Sequence, residues 1–320
     1  MIIWVLLIIL GFVLLIKGAD FLVDGASNIA KKFHIPEIVI GLTIVSIGTS
    51  MPELFVSITS AINGYPDMAI GNVVGSNIAN LLLILGVSSV IKSVKFKRET
   101  RLIEIPMCLG ITILFVLLCN LGHDVTRTDA GILIALFVLF ILYTIFMAKK
   151  GEDFDKEDDD AKNVDKVKSS KSTIKDIVFL LLGAVLLKFG GDLTVNNAVE
   201  VAKYFGLSEK LISVTILAIG TSLPELVTSV SAAIKGKSDI AIGNILGSNI
   251  FNMLLIIGVS AMIKPIVYNT SYNMDMIFLL VGTLILSLFP LIPPKNKMSR
   301  GNGLVYVLIY AGYLAMVFVK

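Results

Sequence analysis

Cysteine, histidine and tryptophan are almost absent, with two Cys, two His and one Trp in 320 residues. Cys108 and Cys119 fall in one apolar stretch, too far apart along a helix to bridge, so they read as inert packing residues. His34 and His123 are isolated near expected helix ends and read as surface or cap residues, not as metal or proton sites. Charge is also scarce: Asp, Glu, Lys and Arg make up 16% of the chain, too little for a soluble domain of this length. The net charge of +3 does not point to nucleic acid, because Lys and Arg lie between apolar runs and not in one patch beside aromatics. No series of short alternating segments suggests a β-barrel. The N-terminal MIIWVLLIILGFVLLIKGAD has no basic start and no small-residue cleavage site, so a retained first span is expected, not a signal peptide.

What is present is apolar. Hydrophobic residues make up 56% and the mean hydropathy is +0.89, which predicts an all-α polytopic membrane protein. At about 20 residues per span, ten segments can be marked, near 2–30, 36–62, 68–91, 102–122, 128–148, 174–202, 208–234, 240–263, 273–292 and 303–319.

Two stretches inside these runs are costly. GTSMPELFVS, from Gly48, returns 172 residues later as GTSLPELVTS, from Gly220. Each carries a glutamate at membrane depth, where a charge costs about 2.5–3.5 kcal/mol on insertion scales. Apart from Lys175 and Lys210 at span ends, Lys17 and Lys188 are the only basic residues within spans, and none sits in either motif, so a buried ion pair is not expected. Glu53 and Glu225 are therefore candidate cation ligands. Pro52 and Pro224 lack an N–H, which strips the carbonyls of Gly48 and Gly220 of their helical partners. Bare backbone at membrane depth is tolerated only against protein or a wet cavity. The hydroxyls of Thr49, Ser50, Thr221 and Ser222 add further hard oxygens, which suit Ca²⁺ or Na⁺.

A second pair of motifs follows: DMAIGNVVGSNIANLLLILG from Asp67, and DIAIGNILGSNIFNMLLIIG from Asp239. Asn72, Ser76 and Asn80 recur every four residues and share one helix face, as do Asn244, Ser248 and Asn252. Gly71, Gly75, Gly243 and Gly247 read as close-packing positions, and Asn77 and Asn249 as interhelical glue. Asp67 and Asp239 read as helix N-caps. Asp20, Asp24 and Asp192 read as polar residues near the interface.

Between Ser46–Asn80 and Ala218–Asn252, 21 of 35 positions are identical. Each half holds five spans. An odd number makes the second half enter from the opposite face, so two inverted five-helix repeats are expected, 1–148 and 174–320. Twenty basic residues fall in loops on one side and five on the other. This predicts both termini outside and the linker 149–173 in the cytoplasm. The linker is charged, has no apolar period and is expected to be disordered. Its acidic cluster, Asp153 to Asp160, lacks the glycine and final acid of an EF-hand loop.

GTSMPE…GNVVGSN with GTSLPE…GNILGSN resembles the calcium/cation antiporter superfamily, and within it the short prokaryotic sodium/calcium exchangers. The resemblance covers the whole chain in span count and repeat. It implies spans two, three, seven and eight around one site, and alternating access by sliding of spans one and six. It also implies a ligand set of Glu53 and Glu225, the hydroxyls of Thr49, Ser50, Thr221, Ser222, Ser76 and Ser248, the side chains of Asn80 and Asn252, and the carbonyls of Ser46 and Ala218. The potassium-dependent branch has Asp where this chain has Asn252. The expected activity is Na⁺/Ca²⁺ exchange at the cell membrane. Na⁺ and Ca²⁺ are substrates, and no cofactor, covalent chemistry or obligatory protein partner is expected. A K⁺- or H⁺-coupled exchanger and a cation channel are the alternatives.

Overall fold

The computed structural model describes residues 1–65, 67–122, 124–158, 170–206, 218–291 and 295–319. Its helices are α1 (Ile2–Lys32), α2 (Glu37–Thr49), α3 (Met51–Ile62), α4 (Met68–Ile91), α5 (Thr100–Leu121), α6 (Arg127–Asp158), α7 (Ser170–Tyr204), α8 (Ala218–Thr221), α9 (Leu223–Ile234), α10 (Ser238–Ile263), α11 (Asn273–Leu288) and α12 (Arg300–Val319). Each of the ten apolar segments coincides with helix. The pairs α2–α3 and α8–α9 each account for one broken span, although 207–217, the first part of the seventh, lies outside the described residues. Helix is the only open structure that satisfies its own backbone in lipid.

Burial separates core from periphery. In α10, 94% of the most apolar window is buried and in α4 72%, against 22% in α1 and in α6. The two helices carrying the GNxxGSN motifs therefore form the centre, and the plainer spans present apolar side chains outward, as a lipid-facing surface requires.

The inversion is visible in the packing of α1 on α7. Gly11 lies against Gly190 and Thr194, Gly18 against Gly183 and Leu187, and Gly25 against Asp176 and Leu180. Residue numbers rise on one helix as they fall on the other, so these equivalent first helices of the two repeats run antiparallel. Glycine is required here, since a Cβ at Gly18 would stand 2.8 Å from the Leu187 nitrogen. Gly243 and Gly247 likewise bring α10 onto the backbone of α2. Gly75 meets nothing within 4 Å, so its expected close packing is absent among the described residues.

Two short antiparallel pairs close the ends. β1 (Val94–Lys95) pairs with β4 (Lys297–Met298) at one end, and β2 (Asp124–Val125) pairs with β3 (Ile266–Val267) at the other. The first end also holds Lys97 on Asp239 at 2.8 Å and Lys92 donating to the Ile234 carbonyl at 3.4 Å. The second holds Lys264 donating to the Gly64 carbonyl and Trp4 edge-on to Tyr204. The basic loops assigned to one side thus gather at one end of the bundle.

Two expectations need amendment. Asp239 is not the N-cap of α10, since Lys237 occupies that position without a side-chain cap bond. Asp239 binds Lys97 instead. Burial works against the Lys97 charge, but the bond to Asp239 and the charges of Asp239, Glu37 and Glu99 outweigh it and hold its ammonium above the ordinary lysine value. Second, the charged linker is helical at both described edges, with α6 reaching Asp158 and α7 starting at Ser170. A span already formed removes the nucleation cost, and no proline stops the extension. The π-helical turns at Gly41–Val45, Ala79–Ile84, Thr100–Glu104 and Asn252–Ile256 were announced by no sequence pattern. His34 is exposed at the end of α1 with a φ of 51°. His123 and the middle of the linker lie outside the described residues.

Candidate functional site

The two helix breaks have nearly the same backbone. Ser50 has φ −87° and ψ 8°, Ser222 has φ −89° and ψ 6°, and each is followed by proline in the first turn of the next helix. The bend between α2 and α3 is 50°. Proline is accommodated there because the first-turn N–H groups have no intrahelical acceptor. The break therefore places a glutamate in the opening turn of both α3 and α9, where the helix dipole favours negative charge.

Glu53 and Glu225 are each 1% exposed. The Ser50 hydroxyl donates to Glu225 Oε1 at 2.9 Å, and the Ser222 hydroxyl donates to Glu53 Oε1 at 3.5 Å. Each carboxylate is thus held by the serine of the opposite repeat, and the two breaks face each other. Ser76 donates to Glu53 at 3.4 Å. Both Oε2 atoms are buried without a hydrogen-bond partner, and no ion pair among the described residues reaches either carboxylate. A carboxylate oxygen kept from water and from protein donors is costly, and a cation removes that cost.

The remaining candidates fall into three groups. Ser248 is buried with its hydroxyl unpartnered, and Asn80 and Asn252 are buried with Oδ1 unpartnered. These oxygens join the two carboxylates as acceptors or possible ligands without internal partners. Thr49 donates to the Asn244 side chain at 3.1 Å, and Thr221 lies on a cavity wall, described below. Ser46 is the member least suited by geometry. Its carbonyl already accepts the Ser50 N–H at 3.0 Å and the Thr49 hydroxyl at 3.3 Å. Ala218 opens α8.

Several residues outside that set brace it. Asn72 donates to the Ser57 hydroxyl and to the Glu53 carbonyl, and Asn244 donates to the Ser229 hydroxyl. The interhelical role read for Asn77 and Asn249 is present: each amide donates to the backbone carbonyl of the other. Glu104 is a buried carboxyl that the sequence reading passed over. Tyr143 donates to its Oε1 at 2.9 Å. Its lone occurrence in one repeat gave no signal, since position 276 in the other is methionine.

A cavity of about 600 Å³ reaches the breaks from the end that carries β2 and β3. Pro52, Thr221 and Pro224 line its inner part, and Asp192, Asn196 and Glu200 of α7 line its wall. Lys188 is also on this wall, paired with Asp192 at 2.7 Å. At the opposite end the equivalent positions are ion-paired. Lys235 binds Asp20 at 2.9 Å and Asp24 at 3.0 Å, and Lys237 binds Asp24 at 3.0 Å.

Comparison with known proteins agrees with this layout. The family profile described as "Sodium/calcium exchanger protein" matches residues 3–146 and again 175–319. The chain is 32% identical over 348 residues to the sodium/calcium exchanger MaX1 of Methanosarcina acetivorans, covering 98% of each. It is 34% identical over 315 residues to the inner membrane protein YrbG of Escherichia coli, covering 96% of this chain and 94% of that one. A solved structure of the sodium-calcium exchanger NCX_Mj superposes with a TM-score of 0.84 at 28% identity, covering 98% of both chains. With two matched repeats, a shared fold and relatives alike over nearly their whole length, this multi-pass membrane protein belongs to the sodium/calcium exchanger family, a family of cation transporters and not of enzymes.

Proposed function

We propose that the protein exchanges Na⁺ for Ca²⁺ by alternating access to the site between the two helix breaks. One observation carries the reading: two buried carboxylates from opposite repeats, each bonded by the other repeat's serine and each with an unpartnered oxygen. Two carboxylates balance one Ca²⁺ or two Na⁺, and the neutral oxygens around them suit hard cations of either charge. The likeness to NCX_Mj supports the ion pair, since its crystals were soaked with combinations of Na⁺, Ca²⁺ and Sr²⁺. The ligands are Glu53, Glu225, Ser50, Ser222, Ser76, Ser248, Asn80 and Asn252, with Thr49 and Thr221 at the margin. Ser46 and Ala218 would contribute by carbonyl only.

The excess of basic residues at the β1–β4 end supports a cytoplasmic position for that end and for the linker 149–173, with the termini outside. On that reading the cavity faces outward.

The test is ⁴⁵Ca²⁺ uptake into proteoliposomes under imposed Na⁺, K⁺ or H⁺ gradients. Internal Na⁺ drives uptake, and K⁺ acts only through the membrane potential set with valinomycin. If three Na⁺ move per Ca²⁺, as the resemblance implies, each cycle carries one charge, worth about 2.3 kcal/mol per 100 mV. Uptake driven by a K⁺ or H⁺ gradient without Na⁺ would overturn the coupling. Ca²⁺ flux without any counter-ion would indicate a channel.

A further inference from the structure

Four asparagines close a reciprocal network where α4 crosses α10. Asn77 Nδ2 donates to the Asn249 carbonyl at 3.2 Å, and Asn249 Nδ2 donates to the Asn77 carbonyl at 3.4 Å. Asn80 Nδ2 donates to Asn249 Oδ1 at 3.0 Å, and Asn252 Nδ2 donates to Asn77 Oδ1 at 2.9 Å. All four side chains are at most 1% exposed. Two of the four side-chain oxygens have no partner, and they belong to Asn80 and Asn252.

This pattern has a direction. A primary amide presents an oxygen on one side and an NH₂ on the other, and the two can exchange by rotation. Asn77 spends its own NH₂ on the Asn249 backbone, so only its oxygen is left to face Asn252. Asn252 must then turn its NH₂ toward Asn77, which leaves its oxygen free. Asn249 imposes the same choice on Asn80. An amide turned the other way would offer N–H groups to a cation, and N–H groups repel it.

We propose that Asn77 and Asn249 are positioning residues, which select the oxygen face of Asn252 and Asn80 in the transport site. This rests on the reading of Asn80 and Asn252 as ligands under the proposed function.

The experiment is a double-mutant cycle, with half-saturating Ca²⁺ read from uptake in proteoliposomes and from calorimetry on purified protein. Asn77→Ala is expected to raise half-saturating Ca²⁺ about tenfold, the loss of roughly one hydrogen bond's worth of ordering. Asn252→Ala raises it at least as much. The double variant is expected to match Asn252→Ala alone, because Asn77 then has nothing to orient. Multiplied effects in the double variant, with Asn252→Ala impaired, overturn the positioning role and leave the site reading intact. Parent half-saturation in Asn77→Ala with fewer inserted molecules overturns it too, as a purely structural role. An unchanged Asn252→Ala removes Asn252 from the site and takes the proposal with it. The mirror cycle with Asn249 and Asn80, and the milder Asn77→Ser, supply the same readout where Asn77→Ala fails to insert.

Discussion

The two repeats agree at their centres and differ at their rims. At the centre, Ser50 and Ser222 share backbone angles to within 2°, each binds the opposite glutamate, and the asparagine bonds are reciprocal. At the rims the match fails. Asp20 and Asp24 of α1 are tied to Lys235 and Lys237, whereas Asp192 and Asn196 of α7 line a cavity. The positions equivalent to the two lysines are Asn63 and Tyr65, which carry no positive charge. On the proposed exchange, identity at the centre would serve a site shared by both access states. On the same proposal, difference at the rims would let the two ends close with unequal strength, so that one state is favoured.

The largest effect expected tests the centre. Glu53→Gln and Glu225→Gln each abolish Na⁺-driven Ca²⁺ uptake while the protein still inserts, because one carboxylate leaves a divalent ion uncompensated in low dielectric. The measurement is uptake against the amount of inserted protein. A variant that retains near-normal transport would break the equivalence of the repeats and remove its glutamate from the site.

The next effect tests the rims. The three ion-pair contacts of Lys235 and Lys237 are partly exposed, so each is worth about 0.2–1 kcal/mol. Replacing both lysines with glutamine is expected to shift the balance between access states several-fold. Labelling of a cysteine at Val23 should rise when the reagent is applied from the β1–β4 end. Asn63→Lys should do the reverse, closing the α7 cavity on Asp192 and lowering labelling of a cysteine at Val195. Unchanged labelling in both would show that apolar packing, and not charge, sets the closure.

The smallest effect concerns the segment outside both repeats' cores. Deleting Glu152 to Ser170 is expected to leave uptake within about twofold, since few side chains there can bury apolar surface. Loss of uptake in a correctly inserted deletion would give the linker a coupling role.

Much of this protein was legible in the sequence because the relevant signals are local. Apolar runs mark spans, since lipid accepts little else for about 20 residues. A proline one residue before a glutamate marks a helix break with an acid in the next first turn, and recurrence at 172 residues marks the repeat. What the tertiary structure alone decided are the contacts across the repeat interface. The Ser50–Glu225 and Asn252–Asn77 bonds each join residues 175 apart, and such pairings depend on how the helices cross, not on spacing along either one. The same holds for the rim ion pairs, which join Asp20 to a lysine 215 residues away, and for the π-helical turns that begin at Ala79 and Asn252. Those turns need tertiary packing to pay for a widened backbone, and packing is settled only when both inverted halves are in place.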